Sequence, residues 1–195
     1  MSYSISITTL GNNPTEFIES WSAAYAYGGE EKYAVNIGLA LNSWEPFFKM
    51  FEWKNGTGEK IAESKMLLVK SFWDQVDVLK GLERKMDWGT YESTFRPGEN
   101  AVVWKTFLLH LIDPEQYPIF DQHVYRCQHF LTHGKIREIP TYPKTAYAYF
   151  KDQYLPWFNK IRSKVGSSTK KMDEAFFAYG KMLKGLKPYP YHITP

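Results

Sequence analysis

Residues 95–131 read FRPGENAVVWKTFLLHLIDPEQYPIFDQHVYRCQHFL, a stretch that predicts two helices joined by a short connector. Residues 96–100 are of turn-forming types, and the run Ala101–Ile112 that follows contains only three polar residues. This composition predicts a buried helix. We expect the helix to end at Asp113, because a residue that precedes a proline is disfavoured in the helical conformation.

The second helix of this stretch is predicted to begin at Asp121. Two apolar residues lead into the aspartate, and the apolar residues after it are spaced as on one face of a helix: Val124, Cys127, Phe130 and Leu131. A carboxylate at such an N-cap accepts hydrogen bonds from the free backbone N–H groups of the first turn, and the helix dipole favours its ionised form. We therefore expect Asp121 to be rigid and negatively charged at neutral pH.

The order of these features resembles a known family. A Pro-Gly turn, an apolar helix and the phrase FDQHVYR at 120–126 are similar to the helix-hairpin-helix DNA glycosylases of base excision repair. In that superfamily the hairpin is typically Leu-Pro-Gly-x-Gly, and a Val-Asp-Thr-His-Val-x-Arg phrase carries the catalytic aspartate. On this resemblance Asp121 falls on the catalytic aspartate, and His123 and Arg126 fall on the histidine and arginine of the phrase.

The resemblance also implies a set of DNA contacts. Pro97 and Gly98 fall on the hairpin Pro-Gly, while Asn100 stands where a second hairpin glycine is usual. A turn at a helix N-terminus can bind a phosphate through backbone N–H groups, so these three residues are expected to contact DNA. His123 and Arg126 complete the expected DNA-binding set.

The position of a lysine decides whether such an enzyme also cleaves the DNA backbone. Glycosylases with that lyase activity carry a lysine after the hairpin. Without a gap in the match this position is Val102, whereas a small gap brings Lys105 and Thr106 to it. Lys105 is therefore either a catalytic Schiff-base nucleophile or an exposed residue of a buried helix, and the ungapped match favours an enzyme that only removes the base.

The activity that the resemblance implies is removal of a damaged base from duplex DNA by hydrolysis of its N-glycosyl bond, on an all-α, two-lobed helical domain. An oxidised purine is the first expected substrate and an alkylated purine the second. The resemblance implies no metal and no cofactor, because the iron–sulfur centre of some members needs a cysteine cluster and Cys127 is the only cysteine here. The alternative is a catalytically inactive DNA-binding or protein-interaction module on the same scaffold, which the absent second glycine favours.

Composition sets wider limits on partners and location. The 195 residues carry a formal net charge of +3, which is compatible with nucleic acid without requiring it. The five histidines are scattered without metal-ligand spacing. A single cysteine, no long apolar stretch and an N-terminus unlike a signal peptide predict a cytoplasmic monomer with no membrane partner.

Several side chains have two interpretations. His123 is either a structural residue of the first helical turn or a catalyst, and the structural role is favoured. Arg126 either tethers its helix to a carboxylate or contacts a phosphate, and we favour the tether. Trp53, Trp73 and Trp88 lie near predicted helix ends or turns, so they are either base-stacking residues or, as large aromatic residues more often are, core residues.

The remaining sequence predicts further helices around a central body. Residues 30–131 are expected to form that body, and residues 1–29 and 144–186 the second lobe. Periodic apolar residues predict a helix from Asn13, a helical region at 30–51 broken near Asn42, and a final pair at 147–165 and 170–186. They also predict one long helix or two in series at 60–86, with Gly81 as the weak point. Residues 1–9 are expected to be extended, and the tail 187–195 irregular.

Overall fold

The computed structural model describes residues 13–56 and 60–186. In this part of the chain there are eleven α-helices and no β-strand, so the predicted all-α class is confirmed. The segments at 1–9 and 187–195 lie outside the described residues. The helices are α1 (Pro14–Ala23), α2 (Glu30–Asn36), α3 (Trp44–Asn55), α4 (Glu63–Trp73), α5 (Val76–Arg84), α6 (Trp88–Phe95), α7 (Val102–Ile112), α8 (Gln122–His133), α9 (Pro143–Tyr149), α10 (Leu155–Val165) and α11 (Thr169–Gly185).

The chain divides into two compact units. The described part of the first unit is residues 13–25 and 118–186, with α1 and α8 to α11, and the second unit is residues 26–117, with α2 to α7. The prediction that the N-terminal helix packs with the last two is confirmed. The prediction that residues 30–131 form one body is corrected, because α8 packs along α11 and so belongs to the first unit.

An aromatic core holds the first unit together. Phe17 of α1 packs against Phe176 and Tyr179 of α11, with ring centroids 6.2 and 5.1 Å apart. Gly180 of α11 lies against the start of α8. A Cβ atom at Gly180 would lie 1.9 Å from the backbone oxygen of His123, so only glycine allows these two helices to approach so closely.

The core of the second unit is built around α7. Apart from Val103 and Trp104, every residue of this helix is buried, which confirms the prediction of a buried helix. His110 is fully buried, and its Nδ1 lies 2.8 Å from the carbonyl oxygen of Tyr117. Because a carbonyl can only accept, Nδ1 carries the proton and Nε2 accepts from the hydroxyl of Tyr33, also at 2.8 Å.

Helix ends follow the sequence signals in some places and depart from them in others. The periodic region at 60–86 forms two helices in series, but the break falls at Asp74 and Gln75 and not at Gly81. The break predicted near Asn42 is confirmed, with Ser43 at the N-cap position of α3. The last pair of helices begins earlier than predicted, because Pro143 occupies the first turn of α9.

Candidate catalytic and DNA-binding residues

Asp121 is the N-cap of α8, as predicted. Its backbone is extended, and its Oδ1 accepts hydrogen bonds from the backbone N–H groups of His123 at 2.8 Å and Val124 at 3.1 Å. The side chain is half-buried. Two hydrogen bonds and the N-terminal end of the helix dipole therefore hold a carboxylate in one position, where it can face a developing positive charge.

The segment that leads into Asp121 is anchored from α11. The backbone N–H of Ile119 donates to Oδ2 of Asp173 at 2.9 Å, and the carbonyl oxygen of Ile119 accepts from the hydroxyl of Tyr154 at 3.3 Å. Asp173 is 4% exposed and Tyr154 is fully buried. Burial, followed by the nearby Asp173 and Asp121 carboxylates, raises the pKa of Tyr154 well above its usual value, so the phenol stays protonated as a donor.

Arg126 is a tether, as the favoured interpretation predicted. Its Nε donates to Oε1 of Glu138 at 3.0 Å and its Nη2 donates to Oε2 at 2.8 Å, a bidentate ion pair. The side chain is 1% exposed, and Nη1 also donates to the carbonyl oxygen of Gly180 at 3.4 Å. A guanidinium buried in this way cannot reach a phosphate, so we leave Arg126 out of the candidate DNA contacts.

His123 also has a structural position. Its Nδ1 lies 3.1 Å from Nη1 of Arg126, and its ring packs on Phe177 with centroids 4.6 Å apart. Because a guanidinium can only donate, Nδ1 is unprotonated and the imidazole is neutral. Burial lowers the pKa of His123 against the opposing effect of Asp121, which agrees with a neutral ring that supplies no positive charge for DNA.

The hairpin-like turn lies in the second unit. The backbone N–H of Glu99 donates to the carbonyl oxygen of Arg96 at 3.0 Å, with Pro97 and Gly98 at the two central positions of a β-turn. Pro97 is buried, Gly98 is half-buried and Asn100 is exposed. Proline therefore sets the turn by packing, while Gly98 and Asn100 reach the surface.

The left-handed backbone of this turn falls on residues that the sequence did not indicate. Among the described residues, the non-glycine residues with positive φ are Arg96, at 45°, and Ala101, at 48°. Asn100, at the position of the usual second glycine, is not among them. Ala101 is the N-cap of α7, and no side chain caps this helix. The first N–H groups of α7 are thus not covered by a capping side chain.

Lys105 is not the exposed residue of a buried helix. It is 6% exposed, and its Nζ donates to the carbonyl oxygen of Arg96 at 3.1 Å. Burial lowers the pKa of Lys105, against the opposing effect of Glu99. Lys105 and the turn thus lie together in the second unit, whereas Asp121, His123 and Arg126 lie together in the first.

Lys105 also lines a surface cavity of about 520 Å³. The side chains around it come from α4, from the break before α5, from the end of α6 and from the turn. Its apolar lining residues are Leu68, Phe72 and Phe95, and its polar lining residues are Ser71, Gln75, Thr94, Arg96, Glu99, Asn100 and Lys105.

The three tryptophans that were considered for base stacking all take part in aromatic packing. Trp53 is 5% exposed and lies against Tyr33, with centroids 4.8 Å apart. Trp73 packs edge-on to Trp44, and Trp88 packs edge-on to two tyrosines. Trp53 is thus a core residue, as the favoured interpretation predicted, whereas Trp73 and Trp88 are half-buried.

Two residues around Asp121 were not singled out from the sequence for their roles. Asp173 lies beyond the first turn of α11, which begins at Thr169. Its spacing before Phe176 and Gly180 placed it on the apolar face, which was an available signal for a buried carboxylate. Glu138 lies in a loop of mixed composition, and no local pattern indicated its pairing with Arg126.

Comparison with known proteins finds no family model, curated protein or solved structure that matches the chain. Within residues 13–56 and 60–186, no helix has both the length and the apolar character needed to cross a membrane. The same residues contain no group of three or more His, Cys, Asp or Glu side chains placed to hold a metal ion.

Proposed function

We propose that the protein is a DNA glycosylase of the helix-hairpin-helix type, which hydrolyses the N-glycosyl bond of a damaged purine in duplex DNA. The observation that carries the proposal is the geometry of Asp121, a half-buried carboxylate held by two backbone hydrogen bonds within the phrase Asp-Gln-His-Val-Tyr-Arg. An oxidised purine is the first candidate substrate and an alkylated purine the second.

The chemistry of base release explains why such a carboxylate is useful. Positive charge develops on the sugar as the glycosidic bond breaks, and a fixed anion stabilises it without reorganising. The anchors around Asp121 support this role. Asp173 and Tyr154 fix the preceding peptide, and the Arg126–Glu138 pair fixes the first turns of α8.

The proposal assigns base removal alone, without backbone cleavage. A Schiff-base nucleophile would have to be Lys105, and the ungapped match puts Val102 at the lysine position. The amine of Lys105 is nearly buried and bound to the Arg96 carbonyl. We therefore leave Lys105 out of the catalytic step.

A screen of duplexes that each carry one damaged base, beginning with 8-oxoguanine, tests this function, with Asp121→Asn as the deciding variant. Asparagine caps a helix about as well as aspartate, so the free energy of unfolding should stay within about 0.5 kcal/mol of the parent's. Base release should fall roughly 100-fold or more, because a neutral amide does not supply the negative charge. Release of the base by the variant at the parent's rate would remove Asp121 from catalysis.

The chain supplies a matched control for this variant. Asp87 is the N-cap of α6, and its carboxylate accepts from the backbone N–H groups of Gly89 and Thr90. Asp87→Asn changes the same chemical group at the same kind of helix position and should leave base release unchanged. Lys105→Gln should also keep base removal. Loss of borohydride trapping to DNA in Lys105→Gln would instead identify a Schiff-base enzyme.

The second candidate function is a catalytically inactive DNA-binding or interaction module on the same scaffold. The turn favours this candidate, because Asn100 stands where the second hairpin glycine is usual. If no damaged base is released from any duplex while the protein still binds DNA, this module is the better account.

A further inference from the structure

The second unit contains a nearly buried ammonium group whose donors are only partly used. Lys105 is 6% exposed, and within the described chain the carbonyl oxygen of Arg96, 3.1 Å from Nζ, is its one hydrogen-bond acceptor. An ammonium carries three N–H donors, so two of them have no acceptor among the described residues. Because Lys105 lines an open cavity, these two donors can bind water or a ligand there. Burial also lowers the pKa of Lys105.

The same side chain lies at the wall of the cavity described above. The volume of about 520 Å³ falls within the range of small-molecule sites, and all of its lining residues belong to the second unit. Its lining residues include the apolar side chains Leu68, Phe72 and Phe95 and the amide side chains Gln75 and Asn100. A ligand there can therefore bring an apolar or aromatic body against the first group and an acceptor group against the amides.

The charges around the cavity select an anion. Lys105 and Arg96 are positive and Glu99 is negative, so the wall carries net positive charge. Arg96 and Glu99 are 65% and 61% exposed and their charged atoms are 3.7 Å apart, so this pair is screened by water. Lys105 is therefore the dominant charge for a ligand inside the cavity. A phosphate offers three strong acceptor oxygens. They can accept from the two remaining N–H groups of Lys105 and from the side-chain amides of Gln75 and Asn100.

We propose that this cavity binds a small organic phosphate of nucleotide size, with the phosphate on the Lys105 ammonium and the body of the ligand against the apolar lining residues. The site is independent of Asp121 and of the glycosylase proposal. The phosphate belongs either to a free nucleotide or to the 5′ end of a DNA strand, since both present the same group.

Calorimetric titration of the full chain with thymidine 5′-monophosphate tests the site. Lys105→Met should weaken binding about tenfold or more, the effect of removing hydrogen bonds from a charged donor. Because methionine removes a buried charge, the variant should unfold at the parent's temperature or above it, so loss of binding is separable from loss of fold. Lys70→Met is the matched control: Lys70 is exposed on α4 and does not line the cavity, so binding should be unchanged.

Two further variants change the charge of the wall without touching Lys105. Gln75→Glu adds a negative charge and should weaken binding several-fold, whereas Glu99→Gln removes one and should strengthen it. Thymidine without the phosphate should bind at least about tenfold more weakly than the monophosphate. Equal binding of thymidine, or parental binding by a folded Lys105→Met, would overturn the assignment.

Duplexes with and without 5′-phosphate ends distinguish the source of the phosphate. A duplex with 5′-phosphate ends that binds more tightly than the same duplex without them, with the gain lost in Lys105→Met, assigns the site to DNA ends. Equal binding of the two duplexes, with the monophosphate still bound, assigns it to a free nucleotide. Binding of the monophosphate should persist in Asp121→Asn, so the site and the glycosylase proposal fail separately. No binding of the monophosphate and no preference for phosphorylated ends would overturn the proposal.

Discussion

Gly180 sets the distance between α8 and α11 at the scale of a single residue. A Cβ atom there would lie 1.9 Å from the backbone oxygen of His123 and 3.0 Å from its Cα, and backbone atoms cannot move aside as a flexible side chain can. The close approach places the first turn of α8, which Asp121 caps, directly against α11. A glycine in the interior of a helix is otherwise unfavourable, and at Gly180 the close helix contact offsets that cost.

Gly180→Ala should therefore lower the free energy of unfolding by about 2 kcal/mol or more, because α8 must shift to admit the methyl group. Gly81→Ala is the matched control. Gly81 is inside α5, and a Cβ atom there would have no neighbour within 4 Å. Alanine at this position should therefore raise the free energy of unfolding by about 0.5–1 kcal/mol. Urea denaturation of the two variants measures both effects. Equal stability of Gly180→Ala and the parent would contradict the close packing of these helices.

Asp87 and Asp121 are both helix N-caps, but their surroundings differ. Each caps a helix by accepting two backbone N–H groups, but only the cap at Asp121 was predicted from the sequence. Asp87 is exposed, while Asp121 is half-buried and follows a peptide held by Asp173. The burial and anchoring of Asp121 depend on residues about fifty positions away in the chain, such as Asp173. Local sequence does not show which distant residues will come into contact.

At the scale of helices and turns, the turn before α7 carries local strain. Ala101 has φ 48° and ψ 37°, the left-handed region that glycine adopts freely and that is about 1–2 kcal/mol less favourable for other residues. The cost persists because α7 is buried almost along its whole length and so fixes where the turn must end. The turn thus gains its shape from packing that follows it in the chain.

Ala101→Gly should raise the free energy of unfolding by up to about 1 kcal/mol, because relief of the strain exceeds the added freedom of the unfolded chain. Ala34→Gly is the comparison, since Ala34 is exposed within α2 and glycine there should lower stability by about 1 kcal/mol. Chemical denaturation of both variants measures whether the free energy of unfolding rises in Ala101→Gly and falls in Ala34→Gly. A loss of equal size in both would show that Ala101 is not strained.

The helices themselves could be predicted from sequence where one signal dominated. Apolar periodicity was enough for α7, and the aspartate cap was enough for the start of α8. The break between α4 and α5 was expected at Gly81 but falls at Asp74, because a single glycine is tolerated inside a helix when packing continues on both sides. The five-residue π-helical segment Phe150–Tyr154 was not predicted, since its widened turn depends on how buried Phe150 and Tyr154 pack.

At the scale of the whole molecule, the charge balance limits how the proposed binding of DNA could work. The chain has 24 lysines and arginines against 21 aspartates and glutamates, so long-range attraction to a polyanion is weak. The most deeply buried guanidinium, that of Arg126, is already paired with Glu138. Affinity must then come from local contacts, and backbone N–H groups at a turn can bind phosphate without adding net charge.

Gly98→Ala tests whether the turn supplies those contacts. Gly98 is not among the residues with left-handed backbone, so alanine does not strain the backbone, but its methyl group would stand between the backbone and a bound phosphate. DNA binding should be independent of base sequence and fall with salt, and the variant should bind more weakly at every salt concentration. The slope of log K against log salt should stay the same, because backbone N–H groups carry no net charge. Gly38 is exposed and a Cβ atom there would have no neighbour within 4 Å, so Gly38→Ala should leave the affinity unchanged. Fluorescence anisotropy across a salt series measures affinity and slope, and parental affinity in Gly98→Ala would remove the turn from DNA binding.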